Sequence, residues 1–291
     1  MTTSDVPFRT GRTRSLARNR FHDIAYVEWG DPAAPRLVVC VHGLSRQGRD
    51  FDALAQALAG IGYRVVCPDV VGRGKSGRLA DPELYGLPQY AVDMTVLLAH
   101  LGAEDVDWVG TSMGGLIGMS LAAAAGAPIR RLVINDIGPF LPRTAVRAIG
   151  NNLLSAPRHY PSVEAMEARL RWVHAPFGPL TDAQWRHLAE HSVVPDPAGG
   201  LRPHYDPGIG NAFRPGRVYD TSLWEMWDAV SCPVLLLRGA ASELLLPKTA
   251  DEMTRRGPRA EHVEIPECGH APALMDADQI RIVADWLGPA R

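Results

Sequence analysis

Cysteine is scarce in this chain. Only Cys40, Cys67, Cys232 and Cys268 occur among 291 residues, and no two form a C-x-x-C pair. That excludes a disulfide-stapled framework and a cysteine-built zinc site. Cys40 and Cys67 lie in apolar runs and read as small buried hydrophobes in a reducing compartment, so a cytoplasmic location is expected. An excess of one charge is missing too: the formal net charge is -2. No broad basic surface for nucleic acid is therefore expected. No apolar run approaches the roughly 18–20 residues that cross a bilayer, and no charged start leads into an apolar stretch as in a secretory signal. Neither a nucleic-acid nor a membrane partner is expected. Internal repeats and low-complexity tracts are absent. Local positive charge does occur near the start, at Arg9, Arg12, Arg14, Arg18 and Arg20. It reads as a frayed, solvated terminus, with a contact to something acidic as the alternative.

What the chain has is material for a core, with 46% hydrophobic and 21% charged residues. Short β-branched runs alternate with helical patterns. Leu37–Val41, Tyr63–Cys67, Val106–Val109, Arg131–Ile134, Val234–Leu237 and Val263–Ile265 read as strands. Helical stretches lie at about Asp50–Ala59, up to Leu101, at Leu116–Ala125 and at Ala277–Leu287. Runs without polar alternation suit strands buried on both faces, and strand–helix alternation implies parallel crossovers. Ile24–Trp29 alternates better and fits an antiparallel edge strand reached by a hairpin. Between about Gly138 and Leu223 no buried strand is evident. Helical patches at Val163–Val173 and Thr181–His191 mark this as a largely helical insertion. The expected division is a core of residues 1–137 and 224–291 with a helical cap at 138–223.

Gly110-Thr111-Ser112-Met113-Gly114 fits G-x-S-x-G. Alone, the pattern also fits a glycine-rich helix start with a capping serine. Here a buried strand precedes it and a helix follows, the setting of a nucleophile elbow. A sharp turn at the serine requires neighbours without bulk, and the following helix presents N–H groups to a developing oxyanion. His42-Gly43-Leu44 ends the first buried run. The backbone N–H groups of Leu44 and Met113 are the candidate oxyanion donors, each able to supply roughly 10²–10³ in rate. His270, in Cys268-Gly269-His270-Ala271-Pro272, follows the last strand and is the candidate general base. Two carboxylates compete to orient it. Glu243 stands a few residues past Leu237 and is the preferred acid; Asp136, just past Ile134, is the alternative.

Two motifs invite other chemistry. Gly72-Arg73-Gly74-Lys75-Ser76 resembles a phosphate loop, but Asp69 occupies the place where the first glycine belongs. Asp69 and Arg73 are expected to tie a tight turn instead. His187 and His191 share a helix face, but H-L-A-E-H is not the H-E-x-x-H of zinc proteases, so no metal is expected.

Taken together, His42-Gly43, Pro68-Asp69 with Gly72–Ser76, the elbow at Ser112 and Gly269-His270 resemble the α/β-hydrolase superfamily, in its cap-domain branch. The resemblance spans about Phe21 to Leu287. It implies an α/β fold with a mostly parallel eight-stranded sheet flanked by helices and a helical lid between strands 6 and 7. Many members carry Asp where Glu243 stands. A serine rather than an aspartate nucleophile implies acyl transfer, hence a serine hydrolase of carboxylic esters or lactones that needs no cofactor. A C–C bond hydrolase with the same triad and a non-catalytic small-molecule receptor are the alternatives. The expected partner is a small acyl compound. Phe140, Trp172 and Phe177 are candidate pocket residues, each equally readable as lid core.

Overall fold

The structure, a computed structural model, describes residues 7–290. Strands β1 (Phe8–Ala17) and β2 (Arg20–Trp29) form a hairpin, paired antiparallel over their whole length. There follow β3 (Leu37–Val41), α1 (Asp52–Gly60), β4 (Arg64–Pro68), α2 (Leu87–His100), β5 (Val106–Thr111), α3 (Met113–Ala122) and β6 (Ile129–Asn135). The chain then leaves the sheet for α4 (Arg143–Leu154), α5 (Val163–Val173), α6 (Asp182–Glu190) and α7 (Trp224–Ala229). It returns as β7 (Val234–Gly239), α8 (Pro247–Met253), β8 (Glu261–Ile265) and α9 (Ala277–Leu287). The eight strands stand in the order β1-β2-β4-β3-β5-β6-β7-β8. β2 runs antiparallel to both its neighbours, and β3 to β8 run parallel.

The continuous apolar runs of the central strands have a direct cause. Successive side chains of a strand point to opposite faces, and here both faces are covered. Val39 and Val41 join Met94, Leu97 and Ile117 beneath α2 and α3, while Val38 and Cys40 join Leu54, Leu58 and Val283 beneath α1 and α9. Each such side chain, withdrawn from water, contributes about 1.5–3 kcal/mol. β3 and β5 are adjacent although β4 intervenes in sequence, so the strand order reverses there. A crevice opens at the carboxyl ends of strands at such a point.

Two expectations are corrected. The arginine-rich start is an edge strand: Arg9 pairs with Glu28, Arg12 and Arg14 with Asp23, and Arg18 with Asp81. Because β1 takes the edge, Ile24–Trp29 lies one strand inside it. The excursion between β6 and β7 has its own small core, where Tyr160, Met166, Leu170, Trp185 and Leu188 pack together. Its strands are pairs of two or three residues, Phe140–Leu141 with Thr221–Ser222 and Val193–Pro195 with Leu201–Pro203. Among the described residues no helix is long and apolar enough to cross a membrane.

Candidate active site

Ser112 caps β5 and starts α3 with φ 52° and ψ -113°, a conformation that side chains other than glycine rarely adopt. The turn is tight enough that a Cβ on Gly114 would lie 1.9 Å from the Val41 carbonyl oxygen, and one on Gly110 would meet the Gly114 backbone at 2.3 Å. The glycines of the motif are therefore required by backbone-to-backbone approach. The turn lifts Ser112 Oγ to 2.9 Å from His270 Nε2.

His270 sits on the loop after β8. The Asn135 amide donates to the Pro272 carbonyl and to Thr111 Oγ1, and the Ala241 N–H donates to the Cys268 carbonyl. From the helical excursion, the Pro176 carbonyl accepts the Gly269 N–H at 2.7 Å. The loop is thus clamped to the ends of β5 and β6, to the turn after β7, and to the segment above. Asn135 was not anticipated from sequence; the pair Asn135-Asp136 just past a buried strand was the signal, since both residues tolerate left-handed turns.

The carboxylate that meets the imidazole is Asp136, not Glu243. Asp136 Oδ2 lies 2.8 Å from His270 Nδ1 and also accepts from Ser242 Oγ at 2.6 Å, while Oδ1 accepts the Gly239 N–H at 2.8 Å. Its backbone turns left-handed, with φ 57°, and its N–H bonds the Leu237 carbonyl. That places a fully buried carboxylate directly behind the imidazole. Glu243 is exposed. Its neighbour Ser242 turns inward and donates to Asp136.

The turn Gly43-Leu44 packs against the elbow, with Ser112 Cβ and the Thr111 carbonyl at 3.7 and 3.8 Å from the place of a Gly43 Cβ. Among the described residues neither the Leu44 nor the Met113 N–H has a protein acceptor. His42 props the turn. Its Nε2 accepts the Val70 N–H at 2.9 Å, so Nδ1 carries the proton and donates to the Gly43 carbonyl at 2.7 Å. Burial lowers the His42 pKa to about 3, keeping it neutral. Beneath lies Arg73, fully buried. It donates to the carbonyls of Leu44 and Val71 and to Tyr90, and its last nitrogen faces Met113 Sδ at 3.6 Å. The phosphate-loop lookalike is accordingly a scaffold. Asp69 ties it by accepting the N–H groups of Gly48 and Lys75, and burial raises the Asp69 pKa to about 6. His187 and His191 hydrogen-bond the carbonyls of Arg49 and His187 respectively.

Ser112 stands between two cavities. One, about 1010 Å³ of atom-free space with its mouth included, contains His270 together with Arg46, Tyr160, Arg169, His174 and Phe177. The other, about 770 Å³, is apolar and lies on the Met113 side, walled by Leu116, Ile137, Leu141, Val146 and Phe213. Of the three aromatic candidates only Phe177 lines either space. Phe140 is held in its short strand pair opposite Ser222. Trp172 is 67% exposed, because the cavity-facing stripe of α5 is Met166, Arg169, Leu170 and Val173. This is the i, i+3, i+4, i+7 set of a helix, and Trp172 falls off it.

A family model described as alpha/beta hydrolase fold matches residues 36–277. A 3-hydroxybutyrate-oligomer hydrolase from Cupriavidus necator is 46% identical over 288 residues, covering 96% of this chain and 97% of that protein. An esterase from Mycobacterium tuberculosis is 30% identical over 270 residues, 90% of this chain and 84% of its own length. A solved alpha/beta hydrolase from Novosphingobium aromaticivorans superposes with TM-score 0.85 at 32% identity, covering 98% of this chain and 99% of that one.

Proposed function

The chain belongs to the alpha/beta hydrolase family and is a hydrolase, and from that premise we propose that it cleaves short oligoesters of hydroxy acids through an acyl-enzyme on Ser112. Ester hydrolysis in general is the activity of its relatives. The oligoester substrate is supported by the 46% identity to the 3-hydroxybutyrate-oligomer hydrolase over nearly the full length of both chains.

The observation that carries the serine mechanism is the unbroken line from Ser112 Oγ to His270 Nε2, and from His270 Nδ1 to Asp136 Oδ2, at 2.9 and 2.8 Å. Asp136 accepts a hydrogen bond from Nδ1–H and holds that tautomer, which leaves the Nε2 lone pair free to take the hydroxyl proton as Ser112 Oγ attacks the ester carbonyl. The Leu44 and Met113 N–H groups hold the oxyanion; they are preorganised, so no reorientation is needed as charge develops. The C–O bond breaks, His270 returns its proton to the leaving alkoxide, and the acyl group remains on Ser112. Water, deprotonated by the same Nε2, then attacks the acyl-enzyme, and the acid leaves with Ser112 restored. Residues 138–223 serve as a lid over the crevice, since α4 and α5 contribute Ile149, Leu153, Arg169 and Leu170 to the cavity beside Ser112.

The test is hydrolysis of p-nitrophenyl butyrate by the full chain and by Ser112→Ala. Turnover in the native chain that falls at least 10³-fold in the variant is expected. Equal turnover in both would refute Ser112 as nucleophile.

A further inference from the structure

The two cavities flanking Ser112 differ in chemistry, and the difference assigns a direction to the substrate. His270 protonates the departing oxygen, so the leaving group occupies the cavity that His270 lines; the apolar cavity on the Met113 side receives the acyl part. The leaving-group cavity contains two arginines and no aspartate or glutamate. Arg46 is compensated by Asp50, with Nε to Oδ2 at 2.7 Å. Arg169 has no carboxylate partner among the described residues. One nitrogen donates to the Asn152 carbonyl at 3.1 Å and the guanidinium lies 4.7 Å over the Trp172 ring. That leaves N–H groups without a protein acceptor on a guanidinium stacked over the indole.

We infer that Arg169 is the anchor for a free carboxylate at the leaving-group end of the substrate. This rests on the serine-hydrolase reading above for its direction, though not for the binding itself. In an oligoester of 3-hydroxy acids the terminal unit departs as an alkoxide whose other end is a carboxylate. An anion there meets a fork of N–H donors in a setting where no protein carboxylate competes. His174 and His204 do not share this role, because burial holds both well below the ordinary imidazole range. A neighbouring cleft extends the positive field. It shares Leu153, Ala156 and Tyr205 with the cavity and adds Arg78, Arg158 and Arg202, none of them in an ion pair among the described residues. In a chain of net charge -2 this is a local concentration of cations at the approach to the site, and it favours encounter with anions.

The test measures binding without turnover. The probes are the linear 3-hydroxybutyrate dimer as its free acid and the same dimer as its methyl ester, titrated by calorimetry into Ser112→Ala. The acid is expected to bind at least about tenfold tighter than the ester. Adding Arg169→Gln should weaken the acid by about 10–100-fold, the range for one hydrogen bond to a charged group, and change the methyl ester by less than about twofold. Arg169→Lys should recover part of the loss, since it keeps the charge and gives up the fork. Equal weakening of acid and ester by Arg169→Gln would mark a structural role and overturn the assignment, as would the absence of any preference for the acid. The serine mechanism fails separately, by retained p-nitrophenyl butyrate turnover in Ser112→Ala; the binding comparison would still decide the anchor.

Discussion

Asp136→Asn isolates what the buried carboxylate does. Asn suits the left-handed backbone at this position, φ 57°, and is nearly the same size, so the fold is expected to hold. The Gly239 N–H needs an acceptor where Oδ1 now stands, which turns the amide oxygen toward Gly239 and the NH₂ toward His270 and Ser242. The Ser242 hydroxyl can rotate to accept one amide proton. His270 Nδ1 must accept the other, so the imidazole proton moves to Nε2, the atom that should take the Ser112 proton. A wrong tautomer of this kind costs about 10⁴ in kcat, which at 1.36 kcal/mol per decade is about 5.4 kcal/mol of transition-state stabilisation. KM should move little. Steady-state hydrolysis of p-nitrophenyl butyrate, with thermal unfolding as a check on the fold, measures both. Glu243→Gln, at an exposed position, should stay within about threefold of the native rate, as surface changes do. A greater loss for Glu243→Gln than for Asp136→Asn would refute the assignment of the acid.

Gly114→Ala should destabilise by about 3 kcal/mol or more, because its Cβ would meet a backbone carbonyl at 1.9 Å; calorimetric unfolding should show Tm lower by roughly 6–10 °C. Arg73→Met removes the donors to the Leu44 and Val71 carbonyls, so the Leu44 N–H loses its aim. A fall in kcat of about tenfold or more at similar KM is expected, short of deleting an oxyanion donor outright; an unchanged kcat would remove Arg73 from any positioning role. Acid should weaken the fold. Burial keeps His42 (pKa about 3), His174 and His204 neutral when folded, whereas their unfolded forms gain protons below about 6.5. The unfolded state then binds more protons, so this stability is complete above pH 6.5 and is lost at about 1.4 kcal/mol per pH unit for each histidine as pH falls. Asp69, raised to about 6, protonates in the folded state first and offsets one of the three. Tm measured from pH 7 to pH 5 should drop, and a flat or rising profile would contradict the burial of these imidazoles.

The α/β class and the tight turn that presents Ser112 were legible because each rests on local constraints that sequence records. Backbone approach at Gly110 and Gly114 demands glycine, and strands covered on both faces must be apolar at every position. The carboxylate that meets His270 was harder to read. Glu243 and Asp136 both stand past the end of a buried strand, and what separates them is a dihedral angle: the left-handed turn at Asp136 sends its side chain behind the imidazole. Arg169 was not legible, since a charged residue on an amphipathic helix ordinarily faces water; only the packing of α5 shows that it lies on the cavity stripe. The arginines of β1 misled for the same reason, being edge-strand residues whose partners, Glu28, Asp23 and Asp81, come from elsewhere in the chain.

The backbone of Ser112 has a consequence for how such a protein ages in evolution. A residue held at φ 52° and ψ -113° carries about 1–3 kcal/mol of conformational cost that glycine would not. Ser112→Gly should therefore yield a chain that is inert yet sturdier than its parent. On the proposed role of Ser112, foldability and activity pull in opposite directions at this one position. Wherever the demand for hydrolysis lapsed, mutation alone would drift toward a silent, more durable descendant with its cavities intact, a ready starting point for a binding protein.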